Sequence, residues 1–221
     1  MGWFFKFIDS SLGKKLVMAI TGLFLYIYLI IHLVANLFLL KSDGGEAFSA
    51  YAEFMSSSAN IPVRIIEIIL FLAFAYHIID GIRLWFNNKK ARGIAYNSYN
   101  SSANSKFYSR FMIQSGMVVF IFLIIHLIDF FIPYKFSNPE ITMYETAVMK
   151  FSNIWWSLMY ITAMIFLAFH LVHAFQSGFQ TLGLRHTKYT PIIKSFGTIF
   201  SILICIGFAI IPLYFILKGG Q

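Results

Sequence analysis

Residues 16–40 read LVMAITGLFLYIYLIIHLVANLFLL, a run without one charged side chain and with a single histidine, His32. A helix needs roughly 20 apolar residues to cross the hydrocarbon core of a bilayer, so this stretch is long enough to span. It is too long for the apolar region of a secretory signal and lacks a small-residue cleavage site. Similar stretches follow at about 63–86, 111–132, 154–178 and 195–217. Period-2 alternation is absent, and backbone groups in lipid must pair within their own segment, so these are helices and not barrel strands. The expected fold is an all-α integral membrane protein with five transmembrane helices, a single membrane domain over 1–221. Pro212 is expected to kink the fifth helix.

Composition agrees. Of 221 residues, 59% are hydrophobic, 19% aromatic and only 12% charged, and the mean hydropathy is +0.74. That excludes a water-soluble enzyme. The net charge of +8 does not call for nucleic acid, because the basic residues sort by membrane side. Lys6, Lys14, Lys15, Arg83, Lys89, Lys90, Arg92, Lys106, Arg110, Arg185, Lys188 and Lys194 fall on one side. Lys41, Arg64, Lys135, Lys150 and Lys218 fall on the other. The richer side is the cytoplasmic one, which puts the N-terminus inside and the C-terminus outside. Cys205, the only cysteine, excludes a disulfide framework and a four-thiolate iron–sulfur cluster on this chain alone.

Five of the six histidines, His32, His77, His126, His170 and His173, lie in apolar spans. A lone intramembrane histidine can simply hydrogen-bond a neighbouring helix. One on each of four consecutive helices calls for a function. His32 is 17 residues beyond Lys15 and His126 is 16 beyond Arg110, while His77 is 6 before Arg83 and His170 is 6 before Gln176. These are two pairs at two depths, roughly 15 Å apart at 1.5 Å per residue. Helices one and three supply the outer pair, helices two and four the inner one. Neutral imidazoles facing across a bundle core are what bis-histidine ligation of haem iron requires.

Thr21-Gly22 and Ser115-Gly116 fall at the inner depth, where glycine would clear space for a porphyrin; ordinary small-residue packing also explains them. No matching glycines occur on helices two and four at the outer depth. His173, one turn after His170, could bind iron, but a polar contact to a cofactor or a core position suits it better. His186 reads as a solvated loop residue.

Several stretches together resemble the single-chain, five-helix dihaem cytochrome b subunits of succinate dehydrogenase and fumarate reductase, the b-558 type. They are SLGKKLVMAITGLFLYIYLIIHLVANLF, GEAFSAYAEFM, IPVRIIEIILFLAFAYHIIDGIRLWF, FMIQSGMVVFIFLIIHL and AFHLVHAFQSGFQTLGL. The resemblance implies a four-helix haem-binding bundle plus a fifth helix. It places four ligands of two b haems on His32, His77, His126 and His170, paired His77 with His170 and His32 with His126. It also implies partners, a flavoprotein subunit that handles succinate or fumarate and an iron–sulfur subunit. The substrate in the membrane would be a quinone, menaquinone or ubiquinone.

The chain itself has no Gly-rich dinucleotide turn and no Cys cluster, which fits that division. The iron–sulfur subunit would dock at the basic loops 87–110 and 179–194. A dihaem cytochrome of a hydrogenase or formate dehydrogenase, or a haem-free transporter, are the competing readings. Polar candidates near a quinone are Glu67 on the outer side, and Gln114, Ser115, His173, Gln176 and Ser177 on the inner side. Arg110, Gln114, Ser177 and Lys194 could hold propionates. Glu67 is expected to pair with Arg64 and Asp80 with Arg83. Tyr26, Tyr28 and Tyr76 are expected to be core packing.

Overall fold

The computed structural model describes residues 2–91, 111–137, 140–184 and 186–218, with Phe4 and Ala91 described by backbone alone. Five long apolar helices run over Ser11–Leu40, Ile61–Lys90, Met112–Phe136, Ile154–Thr181 and Thr190–Lys218. Among the described residues there is no strand. The first span ends in a 3-10 turn, Leu37–Leu40, and the third contains a π-helical turn, Leu127–Phe131. Among the described residues, three short helices flank the spans: Trp3–Asp9, Glu46–Ser56 and Met143–Ser152. Isoleucine, leucine and phenylalanine line the outside of the spans, with Ile31, Ile68, Leu72 and Ile79 among the exposed ones. That is the surface a lipid solvent requires.

Around the bundle, helix one touches two and four, and helix three touches four and two. Helices one and three are therefore diagonal, as are two and four. The fifth helix packs against the fourth and also meets the first. Tyr26, Leu167, Leu171, Phe175 and Ile204 form the core where these three meet. Tyr26 is held by its hydroxyl, 3.0 Å from Ser201 Oγ. Close approach of helices four and five depends on Gly197, where a Cβ would stand 2.0 Å from the Phe175 ring. Gly197→Ala is expected to cost about 1–3 kcal/mol through overpacking, read as a lower melting midpoint of the detergent-solubilised protein. The fifth helix runs on through buried Pro212 to Lys218.

The caps are built from the sequence's own polar residues. Ser10 Oγ accepts from Gly13 N–H at the start of helix one, and Asn153 Oδ1 accepts from Trp155 N–H at the start of helix four. Thr142 and Glu145 form a reciprocal capping box on Met143–Ser152, so that helix starts at a defined residue. The Thr142 backbone N–H beside Glu145, and then the Thr142 hydroxyl, hold its carboxyl below the usual carboxylate range. A lowered folded value means that the stabilisation is full above the unfolded value, about 4.3. It is lost as pH falls through the lowered value. Amide exchange in the first turn of this helix, corrected for intrinsic rate, is expected to rise a few-fold over that window, and Glu145→Gln should abolish the dependence.

One expected ion pair is replaced. Arg83 faces Asp9 (3.8 Å), not Asp80, because the N-terminal helix Trp3–Asp9 lies at the foot of helix one and brings Asp9 to both Lys14 (2.8 Å) and Arg83. Asp80 is buried, with Oδ2 lacking any hydrogen-bond partner. At the opposite end Glu67 does pair with Arg64, and Lys135 of helix three joins them at 2.9 Å.

Candidate functional site

Helix two presents His77 and helix four presents His170 across one diagonal. Their ring centres stand 6.2 Å apart, nearly perpendicular at 78°. A glycine lies against each ring. A Cβ on Gly22 would come within 3.2 Å of His77 Cε1, and one on Gly116 within 3.4 Å of His170 Cε1. The residue before each glycine is polar. Thr21 Oγ1 lies 3.5 Å from His77 Nδ1 while donating back to Val17 O, and buried Ser115 donates to Met112 O. The two halves of this level are thus built alike: a hydroxyl residue, a glycine, and an imidazole resting on the glycine.

On the other diagonal, His32 of helix one and His126 of helix three stand 5.8 Å apart at 85°. Aromatic rings replace glycines as the lining. Tyr28 stacks on His32 at 5.4 Å and Phe122 stacks on His126 at 5.8 Å. Phe130, Tyr160 and Phe208 complete the surround. Asn36, one turn after His32, places Nδ2 3.4 Å from both ring nitrogens and donates to His32 O at 2.8 Å. Tyr28 therefore packs on the site itself and not merely in the core.

Either pair could hold a metal ion between its two imidazoles. Each nitrogen is roughly 2 Å from such a metal, which sets the two ring centres about 6 Å apart. Among the described residues, Nδ1 of His126 and Nδ1 of His170 are buried without a hydrogen-bond partner, one in each pair. A buried polar atom left in that state is costly in lipid. Among the described residues no three or more of His, Cys, Asp and Glu gather where they could hold a metal ion. Imidazoles in twos suit a centre whose remaining ligands arrive with it, as a porphyrin's do.

The family model described as succinate dehydrogenase/fumarate reductase transmembrane subunit matches residues 16–108. Over those residues the chain is similar to this family. The match holds the first two spans, with His32 and His77; His126 and His170 lie beyond it. No curated protein and no solved structure matches the chain.

Five helices long and apolar enough to cross a bilayer make the chain a multi-pass membrane protein. The remaining candidates scatter. Gln176 donates to Thr198 Oγ1 (3.1 Å), and with Lys194 it lines a small cleft between helices four and five. Gln114 and Ser177 are exposed, and His173 is half-buried. Exposed His186 accepts from Lys188 N–H and helps turn the chain into helix five. Arg110, Arg92, Lys106 and most of loop 87–110 lie outside the described residues.

Two features escaped the sequence reading. Asn36 could have been found as the polar residue one turn from His32. Asp129, three residues after His126 in an apolar span, could have been found by the cost of burying a carboxylate. It is buried and accepts from Lys150 Nζ at 2.6 Å and Tyr160 hydroxyl at 3.0 Å.

Proposed function

We propose that this subunit carries electrons between an iron–sulfur subunit and a membrane quinone, with one b haem held at each diagonal. His77 and His170 would hold the haem nearer the cytoplasm, His32 and His126 the outer one. The observation that carries this reading is the pair of imidazole–imidazole separations, 6.2 and 5.8 Å, on the two diagonals of one bundle. Bound there, the haems supply one-electron carriers at two depths.

The chain's own residues do the holding. Gly22 and Gly116 put no side chain of their own against the inner rings. Thr21 and Asn36 stand at ring nitrogens of His77 and His32, where a polar neighbour fixes ring orientation. The aromatic lining of the outer level excludes water. The quinone's apolar ring would lie in a lipid-facing groove between helices three and four, lined by Ile121, Phe122, Leu158 and Met159. Phe122 lines that groove and stacks on His126, so the groove reaches the outer pair through one ring. The lysine- and arginine-rich end, including Lys14, Arg83 and Lys194, would face the cytoplasm and the iron–sulfur subunit. Dicarboxylate chemistry would belong to the flavoprotein subunit.

Pyridine haemochrome analysis of the purified complex is the test. About two haem b per chain is the expected result. A colourless preparation would overturn the reading.

A further inference from the structure

Resting on the outer-haem assignment above, we propose that the buried Asp129–Lys150 ion pair, joined through Tyr160 to His126, sets the redox potential of the outer haem. Asp129 lies in the π-helical turn Leu127–Phe131 and is only 6% exposed. Such turns inside an α-helix concentrate at functional positions. Lys150 comes from the short outer helix Met143–Ser152, which the capping box fixes, and its ammonium also lies 4.2 Å from the Trp156 ring centre. Tyr160 of helix four donates its hydroxyl to Asp129 Oδ2 (3.0 Å), and its ring meets the His126 ring edge-on at 6.2 Å.

Asp129 is three residues from His126, and Lys150 reaches it from the short outer helix. Ionised groups in an apolar bundle interact far more strongly than in water. Oxidised iron carries one more positive charge than reduced iron. A nearby carboxylate therefore favours the oxidised state and lowers the potential, while an ammonium raises it. At 2.6 Å the two charges nearly cancel, and removing either one exposes the other.

The experiment is a potentiometric titration of the haems in the assembled complex, followed in the α-band. The outer component is identified as the one missing from His126→Ala. Asp129→Asn is expected to raise its midpoint, Lys150→Met to lower it, and the double variant to return it close to the original. The inner component should stay where it was throughout.

Breaking a buried pair on one side is strongly destabilising, so the double variant, which leaves no orphan charge, keeps the test readable. Singles that shift in the same direction, singles that shift nothing, or a double that moves as far as a single each overturn the inference. So does loss of the outer haem from all three variants, which would make the pair a structural strut only. Wild-type protein without haem refutes the haem assignment instead, a failure visible before any variant is made.

Discussion

His77→Ala and His170→Ala are each expected to remove the same haem, leaving one per chain in place of two. The two rings share one diagonal at 6.2 Å. His32→Ala and His126→Ala should remove the other haem. Low-temperature optical spectra with haem quantitation separate the components. Loss of a common component from His77→Ala and His126→Ala would show that the pairing runs along the sides of the bundle and not across it. His173→Ala should keep both haems, since among the described residues no imidazole ring pairs with His173 as His77 pairs with His170.

The second large effect is expected at Gly22. An alanine there would press a methyl within 3.2 Å of His77 Cε1, a contact the ring can relieve by moving a few tenths of an ångström. Gly22→Leu has no such escape, because the longer side chain would occupy the space of the ring itself. We expect it to lose the haem that His77→Ala loses while the outer haem remains. Gly116 is slightly roomier, at 3.4 Å from His170 Cε1, so Gly116→Ala should be close to silent and Gly116→Leu should match Gly22→Leu. If Gly22→Leu keeps both haems, the glycines serve helix packing alone.

Much of this was legible from the chain itself. The five spans show because lipid imposes long apolar segments, and the two depths show because helix rise converts residue count into height. Height along a helix says nothing of direction around it. The sequence therefore ranks Tyr28 with core tyrosines, whereas it stacks on His32. The same gap explains Asp80 and Arg83. Three residues apart on one helix, they are candidates for each other, yet a short helix far away in sequence delivers Asp9 to Arg83.

The glycines at the inner level were visible by spacing, while their role beneath specific rings needed the fold. Aromatic lining at the outer level had no spacing signal, because phenylalanine is everywhere in this chain. Asp129 was visible and overlooked. Its partners Lys150 and Tyr160, 21 and 31 positions away, were not.

Helix two packs on helix one and only lightly on helix three, with a smaller buried share than the fourth and fifth spans. Across the bundle, its His77 ring faces His170 of helix four. A frame in which a lightly buried post leans on a diagonal brace becomes looser when the brace is absent. Chains made in cells starved of porphyrin should therefore shed this post first. Membrane proteases would then clear them faster than chains whose iron centres were installed during assembly.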